Sequence, residues 1–291
     1  MNQNQLSMRR LSYFTVLADL LHFGKAAEAL HISQPALSSE IRKLESELGL
    51  TLFVRKPRTA LTREGVILRR RAQHLLAAAE RFSSGAEDLA AGITGSVTIG
   101  CVQTFFLRGL PQAVTAIESE RPGIRVQIVE MTTAEQLEQL DSGGVDIACG
   151  HSAAQSANLT SVRVASEEFR LCTHPDRPAR TLADVAEEPF IIFRREVSPH
   201  YWEKVMSVCR AADFTPRVTH QTTTWNAVIS LIRQGLGVSL VPAIIADTGE
   251  GFTATRLGAS AVRSESWMTM RQEDEGSAVG RVFEKLTALL Q

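Results

Sequence analysis

A chain of 291 residues is longer than one hydrophobic core usually organises, so more than one domain is expected. With 44% hydrophobic and 22% charged residues it has the make-up of a water-soluble globular protein. No apolar run reaches membrane-spanning length and the opening MNQNQLSMRR lacks a signal-peptide core, so the expectation is a cytoplasmic protein with no membrane partner. The net charge of −1 hides an asymmetry: residues 1–92 carry 13 Lys+Arg against 9 Asp+Glu, and residues 93–291 carry 18 against 23. A basic module on an acidic body suits a small domain that meets phosphates while the larger part does something else.

In chain order, Leu11, Phe14, Leu17 and Leu21 predict a first helix that supports the next two. Phe23 to Leu30 follows as a short helix rich in small residues, separated by only His31-Ile32 from Ser33. Ser33 is a good N-cap, Pro35 lies in the first turn where its missing N–H is harmless, and Leu37, Ile41, Leu44 and Leu48 recur at helical spacing. Two helices joined so tightly must cross steeply, as in a helix-turn-helix whose second helix offers Ser33, Gln34, Pro35, Ser38, Ser39 and Arg42 to base edges and backbone. Gly49 ends that helix. Thr51 to Val54 has strand character before Arg55-Lys56-Pro57-Arg58 turns the chain back to Leu61, which makes a wing. Arg55, Lys56 and Arg58 cannot help a core there, so phosphate or minor-groove contact is their expected use, against a merely solvated basic loop.

Thr62 then caps a long helix to about Ala91. Leu68, Leu75, Phe82 and Leu89 repeat every seven residues, with Ala72, Ala79 and Ala86 four later. So narrow a stripe predicts a coiled coil with a second chain, and Leu68, Leu75, Ala79, Phe82 and Leu89 are the expected dimer contacts, rather than a helix lying on its own domain. Gly92 to Gly95 is the expected hinge. Beyond it a strand–helix alternation begins: Ser96–Gly100, Phe105–Glu120, Arg125–Met131, Thr133–Leu140 and Val145–Cys149 imply parallel strands with right-handed crossovers. Strands are expected again at Phe169–Thr173, Phe190–Phe193 and Val238–Leu240, and helices at Pro199–Ala212 and Thr223–Gln234. A strand near Trp267–Arg271 and a helix from Ser277 to Leu290 close the chain.

The segment AAEALHISQPALSSEIRKLESELGLTLFVRKPR followed by LTREG resembles the DNA-binding segment of LysR-type transcriptional regulators, densely and in order over about forty positions. Two departures stand out. Ser39-Glu40 occupy places where many members carry a basic or amide residue, and Arg58 to Leu61 is one residue short. The resemblance implies an α/β protein with an N-terminal winged helix-turn-helix (1–62), a long linker helix for dimerisation (63–92) and a two-lobed, periplasmic-binding-protein-like effector domain (93–291). Lobe I would hold about 93–164 and 267–291, and lobe II about 165–266. DSGGVDIACG and LIRQGLGVSLVPAIIA are similar to recurring segments of that domain, and EMTTAEQLEQL and FIIFRRE to members that sense aromatic-pathway carboxylates.

In such lobes ligands bind beyond strand ends, where helix starts aim free N–H groups. Gln103 and Thr104 follow the first strand, Thr132 and Thr133 the second, and Thr223 and Thr224 precede a later helix. Hydroxyls and free amides suit a small carboxylate, although each threonine alone is as well explained as an ordinary N-cap. Phe193, Arg194 and His151 complete the expected effector contacts, with a surface position the alternative for Arg194 and His151.

An enzyme is the competing class. No GxSxG, Walker, Rossmann or zinc signature occurs, the seven histidines show no metal spacing, and Cys101, Cys149, Cys172 and Cys209 form no CxxC. The expectation is therefore no catalytic residue, no cofactor, no metal and four free thiols. A solute-binding protein would not need the first ninety residues. The regulator reading uses the whole chain: partners are duplex DNA, a small-molecule effector, a second copy of the chain in a dimer or tetramer, and RNA polymerase. Its mechanism is an effector that favours one lobe arrangement and so changes the spacing of linked DNA-binding domains.

Overall fold

The computed structural model describes residues 7–55, 58–90, 95–258 and 262–291, with the backbone alone at 80, 81 and 84–90. The chain divides near Glu87 into two units. In the first, α1 (Met8–Leu20) and α2 (Phe23–Ala29) pack against α3 (Gln34–Leu48); β1 (Phe53–Val54) pairs antiparallel with β2 (Ala60–Leu61), and α4 (Arg63–Ala90) follows. The Ser33 hydroxyl accepts the Ala36 N–H at 3.3 Å, and Gly49, at φ 65°, ends α3 in the left-handed region that favours glycine. Leu37, Ile41 and Leu44 are the buried stripe of α3, closing on Phe14, Leu17, Leu52 and Phe53, with the rings of Phe14 and Phe53 edge-on at 5.7 Å.

The start of α4 is fixed by Thr62, whose hydroxyl accepts Gly65 N–H at 2.9 Å and donates to Thr51 O at 2.7 Å. Gly65 is required: a Cβ there would lie 2.3 Å from Leu52 O. The first turns of α4 serve their own domain. Ala72 is buried in the winged-helix core, and Leu68 and Leu76 pack against it, so Leu68, expected in the dimer seam, is partly covered by its own domain. A straight helix rotates about 20° per heptad away from a strict seven-residue stripe, which separates Leu68 from later members. Leu75 and Phe82 are exposed, Phe82 at 80%, and Ala79 is half-buried. The side chain of Leu89, with Ala86, lies outside the described residues, as do Lys56 and most of the expected hinge.

The second unit begins with β3 (Gly95–Cys101), α5 (Gln103–Leu107), α6 (Leu110–Glu120), β4 (Ile124–Glu130), α7 (Thr133–Ser142), β5 (Ile147–Gly150) and β6 (Leu159–Glu167). It continues with β7 (Phe169–Thr173), β8 (Pro189–Phe193), α8 (Pro199–Arg210), β9 (Arg217–Thr222) and α9 (Trp225–Arg233). The remainder is β10 (Ser239–Pro242), α10 (Ala243–Ala246), β11 (Thr253–Arg256), β12 (Ser264–Arg271) and α11 (Ala278–Leu290). Lobe I is a mixed sheet in the order β4-β3-β5-β12-β6, with β3 parallel to β4 and β5, and β12 antiparallel to β5 and β6. Lobe II has the antiparallel set β10-β7-β11 and the parallel pair β8-β9, joined by a bridge from Phe190 to Val238. Each lobe has its own apolar core, one around Ile99, Phe105 and Phe283, the other around Phe190, Tyr201 and Val228.

Two expectations change. The helix expected over Phe105–Glu120 is two helices, broken where Gly109 turns to φ 94°. The lobe boundary falls at Glu167 and Ser264, because β6 and β12 stay paired past an irregularity at Ser266/Trp267. These are the crossing strands. Arg263 pins them together by donating to Ser166 Oγ at 3.0 Å and Ser166 O at 2.9 Å. Glu167 ties both lobes, accepting Arg108 Nη2 at 2.7 Å through one oxygen and Ile244 N–H at 2.8 Å through the other.

Candidate functional site

On the first unit, the helix periodicity that buries Leu37, Ile41 and Leu44 turns Gln34, Pro35, Ser39 and Arg42 outward, with Ser33 exposed before them and Ser38 half-buried on the same face. Glu40, which with Ser39 departs from the pattern that the segment resembles, does not present a free charge. Lys43 Nζ bonds it at 2.8 Å and Arg10 Nε at 2.8 Å, and these partners lower its pKa, Lys43 first. The wing is held by Glu45: one oxygen accepts Leu52 N–H at 2.9 Å and Phe53 N–H at 3.3 Å, and the other accepts Arg55 Nη2 at 2.6 Å. Arg55 is thus an exposed cation already paired with Glu45, while Arg58 is exposed.

In the second unit a cavity of about 330 Å³ opens between the lobes, past the ends of β3, β4, β5, β8 and β9. From lobe I it is lined by Gln103, Thr132, Thr133 and His151, and from lobe II by Phe193, Thr223 and Thr224, so seven of the expected contacts meet there. Two do not. Thr104 is fully buried behind His151, its hydroxyl 3.5 Å from Nε2, and Arg194 is exposed outside the lining. Arg194 departs because the chain turns away after β8, its N–H bonding Thr222 O at 2.9 Å.

His151 is fixed on three sides. Its N–H donates to Thr133 Oγ1 at 3.2 Å, and Nδ1 lies 3.2 Å from the carbonyl of Glu265 on a crossing strand, so Nδ1 carries the proton and Nε2 faces the Thr104 hydroxyl. Burial pushes its pKa down to about 4, leaving the ring neutral at ordinary pH. The start of α7 is a reciprocal capping box. Thr132 Oγ1 accepts Glu135 N–H at 3.3 Å, and the Glu135 carboxylate accepts Thr132 N–H at 2.8 Å. At α9 the Thr224 hydroxyl accepts Ala227 N–H at 3.3 Å, whereas the Ser198 hydroxyl does not cap α8. The amides of His200 and Tyr201, and of Trp225 and Asn226, have no acceptor within their helices.

Ser198, His200 and Trp225 line the cavity without having been expected as contacts. The Ser198-Pro199 helix start after the strand FIIF was a usable signal for the first two. Trp225 gave none, since an aromatic residue after a cap resembles any core residue. Its ring lies 4.6 Å from that of Phe193 and edge-on to Tyr201 at 5.1 Å, and the Tyr201 hydroxyl donates to Leu240 O at 2.7 Å. This is a rigid aromatic wall. Deeper in, Lys204 Nζ donates to Arg263 O at 2.7 Å, linking α8 to the crossing strands. All four cysteines are free and buried; burial pushes Cys101, Cys172 and Cys209 up to about 12 and Cys149 well above its usual range, so none is a reactive thiolate. Among the described residues no helix is long and apolar enough to cross a membrane.

Comparison with known proteins agrees over the whole chain. The family described as bacterial regulatory helix-turn-helix protein, lysR family, matches residues 8–66, and the LysR substrate binding domain matches residues 90–290. The HTH-type transcriptional regulator ClcR of Pseudomonas putida is 31% identical over 248 residues, 83% of this chain and 84% of that one. The uncharacterized HTH-type transcriptional regulator YnfL of Escherichia coli (strain K12) is 29% identical over 96% of this chain and 93% of its own length. The crystal structure of CbnR, a LysR family transcriptional regulator, superposes with a TM-score of 0.76 at 24% identity, covering 98% of this chain and 100% of that one. The chain belongs to the LysR family of DNA-binding transcriptional regulators, a helix-turn-helix unit joined to an effector-binding domain.

Proposed function

We propose that this regulator reads an imperfect palindrome of duplex DNA as a dimer in the cytoplasm, and that a small organic acid bound between its lobes sets its activity. The α3 face from Ser33 to Arg42 meets base edges and phosphates, and the wing, with Arg55, Lys56 and Arg58, adds backbone contact. The exposed Leu75 and Phe82, with Ala79, are the dimer contacts on α4. Effector domains extend the dimer to a tetramer, and RNA polymerase is the downstream partner.

The observation that carries the effector reading is the meeting of the α8 and α9 starts on one cavity that also offers the aromatic wall of Phe193 and Trp225. Helix starts favour an anion, and ring faces favour a planar apolar body. Occupancy bears on the crossing strands through His151 and Glu265, and on both lobes through Glu167, so a ligand that fits one lobe angle better shifts the population toward it.

The test joins both ends of the molecule. Sequences bound by the full chain are selected from random duplex DNA, and affinity for the winner is titrated with a panel of carboxylic acids. The expected result is a two-fold related pair of half-sites and a change in DNA affinity with at least one acid. Gln34→Ala and Ser38→Ala should shift base preference; unchanged preference in both would show that another face reads the DNA.

A further inference from the structure

The cavity's charge is uneven. Among the described residues that line it none is lysine or arginine, yet Glu130 and Glu135 stand on the lobe I side. His151, the lobe I histidine, supplies no positive charge, since its Nδ1–H is given to Glu265 O and it is neutral above about pH 4. At the α7 start the Glu135 carboxylate, which accepts Thr132 N–H at 2.8 Å, sets a negative charge beside the first amides of the helix and so opposes a ligand carboxylate there. Lobe II is the reverse. There the starts of α8 and α9 offer the amides of His200 and Trp225, Ser198 keeps its hydroxyl out of capping, and Phe193 with Trp225 gives the ring wall. Each helix start is equivalent to roughly half a positive charge, so the two together match one carboxylate and leave nothing for a second.

We infer that the effector is an aromatic monocarboxylate, its acid group held by the α8 and α9 starts of lobe II, and that Glu135 is the specificity residue that turns away dicarboxylates. This rests on the organic-acid reading above and narrows it. Facing Glu130 and Glu135, the far end of the ring is best filled by a hydrogen-bond donor such as a hydroxyl, which a carboxylate wall accepts and a second carboxylate cannot provide. The size agrees: a cavity near 150 Å³ holds benzene, and this one, at about 330 Å³, holds a substituted ring.

Calorimetry on the full chain at pH 7.5 tests it, with benzoate, 4-hydroxybenzoate, terephthalate and neutral benzamide as probes. Glu135→Gln is the informative variant, because glutamine keeps the capping box while removing the charge; circular dichroism checks that α7 is retained. The expected order is 4-hydroxybenzoate, benzoate, then terephthalate, the last at least about tenfold weaker than benzoate, with that ratio shrinking by about tenfold in Glu135→Gln. Terephthalate binding as tightly as benzoate to the wild type, or a ratio unmoved by Glu135→Gln, overturns the assignment of Glu135. Tighter binding of benzamide than of benzoate, or no binding by any acid, overturns the organic-acid reading beneath it and this inference with it.

Discussion

The recognition helix and the effector cavity use the same chemical device, a hydroxyl at a helix start, and put it to different ends. Ser33 on α3 and Thr224 on α9 each accept the N–H three residues on, while Thr132 shares its start with a carboxylate and Ser198 leaves its start open. At α3 the exposed residues follow the cap along one helix, so the spacing that buries Leu37 and Ile41 also fixes which side chains turn outward. The cavity is lined from several separate strand ends, and what each helix start leaves open depends on which side chains bond or charge it. A cap motif in sequence therefore locates a helix; only its hydrogen-bond partners tell whether its amides remain for a ligand.

The largest expected effect separates the two halves of α4. Ala72→Glu places an unpaired carboxylate in the winged-helix core and should destabilise that unit by more than about 3 kcal/mol, abolishing its cooperative unfolding. Phe82→Glu, on an exposed position, should leave the helical circular dichroism intact and lower the mass seen by light scattering. Equal effects on folding would erase the distinction between a packing half and an associating half.

On the cavity side, His151 gives a pH signature. The unfolded chain takes up a proton near the ordinary histidine value of 6.5, but the folded ring resists until about pH 4. Stability is thus complete above pH 6.5, declines as pH falls between these values by at most about 3 kcal/mol, and levels off below. Urea unfolding at pH 7 and pH 5 should show the decline in the wild type and a smaller one in His151→Gln; parallel curves would mean the ring is not held neutral.

Glu45→Ala removes the acceptor of two wing amides and should cost about 1–3 kcal/mol, weakening DNA binding for every sequence alike. Arg55→Ala sharpens the point: a phosphate contact predicts a salt slope smaller by about 1, and a slope that stays put would mean that Arg55 serves Glu45 alone. The smallest expected effect is that of Thr133→Val: with the acid group held on lobe II, effector affinity by calorimetry should change by less than about threefold, accompanied by a modest loss of stability because the backbone N–H of His151 loses its acceptor.

Legibility in the sequence followed the same divide. The winged helix, its caps at Ser33 and Thr62 and the wing were readable because each is written in local spacing. The seven-residue stripe of α4 was readable only as a period: Leu68 fits it as well as Phe82 does, and only the fold shows Leu68 packed against the winged-helix core and Phe82 exposed. In the effector domain the helices α7, α8, α9 and α11 were found, but β6, β9 and β11 were not, since strands such as RVTHQT and TATR are polar and half-exposed and leave no apolar alternation. Seven cavity residues were found through the rule that ligands lie past strand ends. Thr104 obeyed that rule and still faces inward, and Trp225 was hidden among core aromatics.

The central claim is that a ligand between the lobes changes how the chain holds DNA. The most direct measurement is a nuclease footprint of the full chain on its selected DNA, without and with a saturating carboxylic acid shown by calorimetry to bind. A shift in the boundary of protection, or in the spacing of hypersensitive sites, is the predicted result. Identical footprints at saturation would contradict it, since a ligand with equal affinity for both lobe arrangements shifts neither.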